Sequence, residues 1–370
     1  MAKSVSVILT VYNMEPCLRE TMDSVLAQTH GDLEVVCVDD GSTDGSLDIL
    51  KEYAALDDRV SVHAQENAGP ALSRNRGLDL AQGDYVMLLD ADDLYDREMV
   101  EKLYARATET QADIVVCRSL DYDHRTGEEA PAPWTAKAEQ IPEKDPFSCA
   151  DMYDFVFSAF VGWPWDKLYR RSFIEEHALR FPPLANSEDL YFVFLSLVLA
   201  DRISFLDEEL IKHRVNRTGS VSNSRTENPE EFYRGICLLK KRLRETPALY
   251  EKLSWGFLNW TFEHAVWNIE TLPMGPERTK LAEMLASGKF AELEIDDHCP
   301  AFFTLFPDSY ERYIALAAEV GLADIRDPRG RGRHPALKYP ARFFAAAQKR
   351  GFGSAFASLT TWAARKRRKS

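Results

Sequence analysis

Four residues, Asp90-Ala91-Asp92-Asp93, are the densest group of potentially reactive side chains in the sequence. They follow an apolar run, Tyr85 to Leu89, that predicts a strand buried on both faces. Alternation along an extended backbone places Asp90 and Asp92 on one side, where two carboxylates suit a hard divalent cation. Such a cation usually accompanies a phosphate-bearing substrate. A solvated acidic turn at the end of a strand is the other interpretation of these residues.

Polar residues also follow two earlier apolar runs. Val5 to Val11 (VSVILTV) predicts a buried first strand, and Thr10 to Asn13 lie at its end. Leu33 to Val38 predicts a second strand, which ends in Asp39-Asp40. Open α/β sheets bind ligands outside the carboxyl ends of their strands. Three polar clusters at such ends therefore predict one binding site along one edge of a sheet.

The elements that must position these clusters alternate in type. Further strands are predicted over Val60–His63 and Ile114–Cys117. Apolar residues at helical spacing, or turn signals, predict helices between the strands, over Glu15–His30, Gly45–Tyr53, Ala71–Gln82 and Arg97–Thr110. This alternation predicts an α/β fold with a Rossmann-like, mostly parallel sheet flanked by helices. The sequence has neither the G-x-G-x-x-G dinucleotide fingerprint nor a Walker loop.

The middle of the chain contains a second acidic group. Residues 125–150 include four prolines and no periodicity, which predicts a long surface loop that is either a binding lid or a plain insertion. Ser187 is predicted to cap the apolar helix Leu190–Ala200, with Glu188 and Asp189 suiting the dipole of its first turn. Two short strands are predicted next, over Ile203–Leu206 and Glu209–Arg214.

The pattern of apolar residues changes after the last of these strands. Helical spacing over Phe232–Leu243, Leu249–Glu270 and Tyr310–Val320 predicts a helical domain. We therefore predict an α/β domain over residues 1–222, a helical domain over 223–330 and a tail over 331–370. From Pro328 onward the chain has twelve Lys or Arg and no Asp or Glu. Aromatic residues beside these cations indicate either a helix at an anionic membrane surface or a solvated terminus.

Composition narrows the class of protein. The net charge of −14 argues against nucleic acid as a partner. The six cysteines are scattered, with no C-x-x-C pair, which favours reduced thiols and no zinc site. The sequence shows no signal peptide and no membrane-spanning run. We expect a cytoplasmic protein, which the tail would hold at the inner face of the plasma membrane if it forms the membrane-surface helix.

Taken in order, the motifs resemble glycosyltransferase family 2, whose members are inverting enzymes of the GT-A fold, here of the bacterial cell-surface glycan type. The resemblance covers roughly residues 4–222, and the C-terminal part carries no matching motif. It rests on VSVILTVYN, VDDGSTDGS, NAGPALSRNRGL, GDYVMLLDADD, WDKLYRRSF, SEDLYF and RTGSVS.

The resemblance implies a site for a nucleotide-sugar donor. Thr10, Tyr12 and Asp40, with Asp39 beside it, would hold the nucleoside. Asp40 would accept the N3–H of uracil, which favours a UDP-sugar. Arg74 would face the diphosphate, since a guanidinium matches phosphate oxygens.

The resemblance also implies a cation site. Asp90 and Asp92 form the family's D-x-D motif and would bind Mg²⁺ or Mn²⁺, with Ala91 between them against the donor. The cation would neutralise the leaving diphosphate. His213 and Arg217 would help to hold the diphosphate or the metal.

On the acceptor side, the resemblance gives Asp189 the role of catalytic base, with Glu188 beside it. A single displacement with inversion needs one carboxylate that takes the acceptor's proton. Trp165 and Lys167 would border the acceptor or the sugar. The acceptor itself would be a glycan or a lipid-linked molecule.

Three other functions fit parts of the pattern. One is transfer of a polyol phosphate, or use of another nucleotide-sugar, on the same fold. Another is a non-catalytic protein that binds nucleotide-sugars, which the intact acidic motifs disfavour. A phosphoryl-accepting receiver domain would explain one acid pair but not the second acidic strand end, SEDLYF or the length.

Overall fold

The computed structural model describes residues 3–216 and 227–286, together with positions 290, 293, 312–313, 315–316 and 318–320. The chain divides into two compact units, the first running to Gly256 and the second beginning at Phe257. The predicted domain boundary at residue 222 lies outside the described residues and stays a prediction. The predicted tail over 331–370, with its membrane-surface helix, also lies outside them.

One sheet forms the centre of the first unit. Its strands, in the described part of the chain, are β1 (Val5–Val11), β2 (Leu33–Asp39), β3 (Val60–Ala64), β4 (Tyr85–Asp90), β5 (Leu94–Tyr95), β6 (Ile114–Asp123), β7 (Glu129–Pro131), β8 (Lys167–Arg170) and β9 (Ile203–Val215). The strand order is β3-β2-β1-β4-β8-β6-β9-β5, and β7 pairs with β6. Continuous apolar side chains on β1, β2 and β4 explain why these strands are buried at the centre.

Helices lie between the strands along the chain and after the last strand. They are α1 (Leu18–Leu26), α2 (Ser46–Leu56), α3 (Pro70–Leu80), α4 (Met99–Thr110), α5 (Arg171–Glu176), α6 (Glu188–Leu199), α7 (Glu231–Arg244), α8 (Pro247–Glu270) and α9 (Pro276–Ala286). Helix α3 packs against β1 and β2, and α4 packs against β6 and β9. The predicted helix over 310–320 is helical at most of its few described positions. Among the helices in the described part of the chain, none has both the length and the apolar character that crossing a bilayer requires.

The sheet is more mixed than the pattern predicts. Strands β1, β2, β3 and β4 are parallel neighbours, as predicted. Strand β8, which the pattern did not predict, lies between β4 and β6 and runs antiparallel to both. The α/β fold class is confirmed, with this antiparallel strand at its centre.

Two further predictions need correction. The two short strands predicted over 203–214 are one strand, β9, which pairs with β6 through a bulge. Its middle residues are exposed, so the apolar pattern is interrupted there although the strand continues. The segment 125–150 is not a structureless loop: it contains β7, two short 3₁₀ helices and buried residues including Phe147.

Candidate functional site

The acidic turn lies at the carboxyl end of β4, next to the end of β1. Ligand oxygens of Asp90, Asp92 and Asp93 all lie within 4.8 Å of one another. Asp90 and Asp92 are partly exposed, whereas Asp93 is buried. Three carboxylates this close repel one another, and a bound hard cation would relieve that repulsion. The donor set therefore fits Mg²⁺ or Mn²⁺.

Asp93, to which the sequence assigned no role, anchors the turn. One carboxylate oxygen accepts the backbone N–H of Arg214 at 2.8 Å. Burial, followed by the charges of Asp92 and Asp90, raises the pKa of Asp93 well above its usual range. Crowding and desolvation both favour the neutral form of a carboxyl group. Asp93 therefore strongly prefers to be protonated in the free protein.

Arg214, near the end of β9, contacts the acidic turn and holds it in place. Its side chain is almost completely buried. Nε donates to the carbonyl oxygen of Asp92 at 2.6 Å, and Nη2 pairs with Glu20 at 2.8 Å. The guanidinium lies over the ring of Tyr122, 5.5 Å from its centroid. Sequence reasoning missed Arg214 because a single arginine at a strand end carries no pattern.

Arg74, on α3, joins the acidic turn to the second acidic group. Its Nη2 pairs with Asp90 at 2.9 Å, and its Nη1 pairs with Glu188. The guanidinium lies 5.5 Å from the ring centroid of Phe181. Gly77, one turn later, allows α3 to approach β1 closely, since a Cβ there would lie 2.2 Å from a methyl of Ile8. The predicted diphosphate contact of Arg74 stays a prediction, and its observed role is to bridge two carboxylates.

The second acidic group begins α6. Glu188 is buried, and Asp189 is partly exposed. Burial, followed by the charge of Glu188, raises the pKa of Asp189 to about 8, although Arg74 opposes this shift. Burial likewise raises the pKa of Glu188, again against Arg74. A carboxylate with a raised pKa is a stronger proton acceptor, which suits a general base near neutral pH.

Ser187 does not cap α6, contrary to the prediction. Its backbone is left-handed, with φ of 61°, and its hydroxyl bonds to Asn186. The first turn is held instead by Asp189, which accepts the N–H of Leu190 at 2.9 Å. A left-handed serine is strained and needs support from its surroundings.

That support comes from α7. Glu231 is buried and accepts the N–H of Ala185 at 3.0 Å. Gly235 lies against the same segment, since a Cβ there would be 3.1 Å from the carbonyl oxygen of Ser187. Helix α7 therefore fixes the loop that precedes Glu188 and Asp189.

The residues predicted to hold the nucleoside follow β1 and β2. Tyr12 is 45% exposed, and Thr10 is partly buried beside it. Thr10 is paired with Val38 on β2 and with Asp90 on β4. The exposed phenol ring is thus available at the same sheet edge as the acidic turn.

Asp40 is buried and already well hydrogen-bonded. Its oxygens accept Gln65 Nε2 at 2.7 Å and the N–H groups of Ala68 and Gly69, each at 2.9 Å. Asp40 thereby fixes the turn that starts α3. In the adjacent Asp39, Oδ1 is buried without a hydrogen-bond partner in the described chain. The uracil contact of Asp40 stays a prediction, and Asp39 offers an open acceptor next to it.

Two residues predicted at the acceptor side lie beneath the surface. Lys167 is fully buried, and its ammonium donates to the carbonyl oxygens of Val161 and Trp163 and to Asp166. All three donors of the ammonium are used, so Lys167 supports the segment that precedes β8. Trp165 is 2% exposed. The contacts of both residues with substrate stay predictions.

The remaining predicted site residues are Ala91, His213 and Arg217. Ala91 is buried, and its carbonyl accepts the hydroxyl of Thr21 at 3.1 Å. His213 is not part of the acidic cluster: its Nδ1 lies 3.1 Å from Asp121, and its ring stacks on Trp165. Arg217 lies outside the described residues.

Comparison with known proteins supports one family. The family described as "Glycosyl transferase family 2" matches residues 6–177. Putative glycosyltransferase EpsH of Bacillus subtilis is 33% identical over 222 residues, which are 59% of this chain and 62% of EpsH. Glycosyltransferase GlyG of Streptococcus pneumoniae is 32% identical over 234 residues, which are 60% of this chain and 73% of GlyG.

Solved structures agree on the fold. The crystal structure of residues 1–349 of TarS from S. aureus has a TM-score of 0.63 to this chain and 23% sequence identity. The match covers 86% of this chain and 90% of the TarS fragment. It confirms the predicted fold class.

Proposed function

Because the chain belongs to glycosyltransferase family 2, we propose that it transfers a hexosyl or N-acetylhexosaminyl group from a UDP-sugar to a hydroxyl of a glycan or lipid-linked acceptor. The acceptor would be part of cell-surface polysaccharide synthesis, and the reaction would invert the anomeric centre. The tail would hold the protein at the inner membrane face. The observation that carries the proposal is the chain of contacts from Asp90 through Arg74 to Glu188, next to Asp189.

This chain of contacts supports separate roles for the two acidic groups. Asp90, Asp92 and Asp93 supply oxygens for a divalent cation on the donor side. Asp189, whose pKa is raised by burial, supplies a basic carboxylate on the acceptor side. Arg74 lies between the two sides and fixes their separation.

The reaction would follow from these positions. Asp189 removes the proton of the acceptor hydroxyl while its oxygen attacks the anomeric carbon from the side opposite the diphosphate. The C–O bond to UDP breaks in the same step. Asp90, Asp92 and Asp93 would hold Mg²⁺ or Mn²⁺, which would supply charge neutralisation for the leaving diphosphate. Arg74 and the buried Arg214 keep the acidic turn in place throughout.

Two comparisons favour a UDP-sugar and a cell-surface acceptor. TarS, which shares the fold, has been crystallised with UDP-GlcNAc and with UDP. A relative that is 30% identical over 234 residues is named poly(ribitol-phosphate) beta-glucosyltransferase, from Bacillus spizizenii. Both names describe those proteins, and together they indicate that a UDP-sugar donor and a cell-surface acceptor should be tested first.

The direct test is release of UDP from UDP-glucose, UDP-galactose and UDP-N-acetylglucosamine, with Mn²⁺ or with EDTA. We expect at least one donor to give metal-dependent UDP release that Asp189→Asn reduces at least a hundredfold. Binding of UDP should be unchanged in that variant. Full turnover by Asp189→Asn would show that the base is misassigned, and absence of release from every donor would contradict the proposed function.

A further inference from the structure

An aromatic cluster lies next to the acidic turn. We name it the aromatic platform and define it as Trp134, Trp163, Trp165 and His213. Trp134 and Trp163 meet edge to face, with centroids 5.2 Å apart. His213 stacks nearly parallel on Trp165 at 5.6 Å and lies 5.1 Å from Trp163. The four rings therefore form one cluster, in which Trp134 is exposed, Trp163 and His213 are partly exposed and Trp165 is buried.

Strand register places this platform at the catalytic edge. Met87 of β4 pairs with Leu168 of β8 in antiparallel register. Continuing that register brings Trp165, three residues earlier, level with Asp90. On the other side, Leu94 pairs with Lys212, which brings His213 level with Asp93. The platform thus flanks the acidic turn from the segment before β8 and from β9.

The segment that precedes β8 also contacts α6, the helix whose first turn carries the proposed base. Gly162 packs against α6, since a Cβ there would lie 2.7 Å from Leu190 and 2.9 Å from Phe194. Leu190 directly follows Asp189. The backbone next to Trp163 is therefore in contact with the first turn that carries the proposed base.

Trp134 is exposed yet held in place. Its indole is 40% exposed. The residues after it are tied down, because Thr135 accepts the N–H of Val161 at 2.9 Å and Lys137 donates to Ala159 at 2.8 Å. Among the described Phe, Tyr and Trp residues of the first unit, the exposed ones are Tyr12 and Trp134. Tyr12 lies on the predicted donor side, which leaves Trp134 for the other side.

Polar groups at the platform suit a sugar more than a hydrocarbon. Asp121 is partly exposed and pairs with His213 Nδ1 at 3.1 Å. A pyranose ring has an apolar C–H face and a rim of hydroxyl groups. Ligand sites combine aromatic walls with a few fixed polar groups in this way.

We propose that Trp134 and Trp163 bind the pyranose ring of the acceptor, with Asp121 and His213 facing its hydroxyl groups. This inference rests on the proposed function and assigns the acceptor subsite within it. It also names a specificity residue, Trp134, in the segment 125–150.

The test uses methyl β-glycosides of glucose, galactose and N-acetylglucosamine as probes. Saturation-transfer NMR on the full chain, with UDP and the diamagnetic Mg²⁺ present, would measure their binding. We expect at least one probe to bind through its C–H face. Trp134→Ala should weaken that binding about tenfold, and Trp134→Phe should restore most of it. Trp267→Ala is the matched control, because Trp267 is 42% exposed and lies in the second unit.

The outcomes separate this inference from the proposed function. Titration with UDP and Mn²⁺ reports on the donor side and should give the same affinity in all four proteins. If UDP binds but no glycoside does, or if Trp134→Ala binds glycosides as the wild type does, the acceptor subsite is wrong. If UDP itself does not bind, the proposed function fails as well.

Discussion

Arg74 is the residue whose removal the structure makes most informative. Its side chain is 10% exposed and bridges Glu188, which is 5% exposed, and Asp90, which is 30% exposed. Replacing it by Met keeps most of the volume and removes the charge. The change leaves Glu188 as a buried carboxylate without its cation, while Asp90 can still be solvated.

The expected loss is large because breaking a buried ion pair costs more than the pair contributes. Leaving one buried charge uncompensated costs about 3–5 kcal/mol in the free energy of unfolding, and the more exposed Asp90 adds at most about 1 kcal/mol. The loss also depends on pH. Arg74 lowers the pKa of Glu188, so in Arg74→Met that pKa rises further. A raised pKa means that stability falls as pH increases, so the deficit should be larger at pH 8 than at pH 5.

Urea unfolding of the wild type, Arg74→Met, Glu188→Gln and the double variant measures this directly. We expect Arg74→Met to lose about 3–5 kcal/mol in the free energy of unfolding at pH 8. The double variant should recover most of that loss, because Glu188→Gln removes the buried charge that would otherwise be unpaired. A loss of under about 1 kcal/mol in Arg74→Met at pH 8 would refute the reasoning. So would a double variant as unstable as the sum of the single ones.

Three further predictions follow from the same site and its supports. The pH profile of kcat/KM should rise through about pH 8, because Asp189 must be ionised to act and burial raises its pKa to about 8; a flat profile between pH 6 and 9 would argue against it. Glu231→Ala should lower kcat severalfold with little change in the KM for the donor, because it removes the acceptor of the Ala185 N–H and so loosens the loop at Ser187; steady-state kinetics that show only a KM change would contradict this positioning role. Lys167→Met should lower the free energy of unfolding in urea by about 3–5 kcal/mol, because it leaves the fully buried Asp166 carboxylate without its cation. The double variant Lys167→Met with Asp166→Asn should recover most of that stability.

The central strands were predictable from the sequence because their environment is uniform. Strands β1, β2 and β4 are buried on both faces, so each appears as a continuous apolar run. The polar residues at their ends then follow from the topology, since parallel strands end at one edge. This is why the acidic turn and Tyr12 could be placed together before the structure was known.

Strand β8 could not be predicted in this way. It is four residues long and begins with Lys167, which the pattern marks as a surface residue. In the structure Lys167 is fully buried because Asp166 and two carbonyl groups accept its hydrogen bonds. A buried ion pair of sequence neighbours has the same sequence as an exposed one, so tertiary contacts alone decide between them.

The site residues that sequence reasoning missed are those whose roles depend on distant contacts. Arg214 acts on Asp92 and Asp93, which are more than a hundred residues away in the chain. Trp134, the proposed acceptor contact, lies in a segment without periodicity, and its neighbouring rings come from β9 and from the segment before β8. No local pattern predicts such pairs.

Calorimetric titration of the wild-type protein with UDP, in Mn²⁺ and in EDTA, tests the central claim most directly. The claim is that the acidic turn at the end of β4 binds a cation that holds the diphosphate of a uridine nucleotide. We predict that UDP binds at least tenfold more tightly in Mn²⁺ than in EDTA, that Asp92→Asn abolishes this difference, and that GDP binds more weakly than UDP. UDP binding of equal strength in Mn²⁺ and EDTA, or no binding of UDP at all, would contradict the claim.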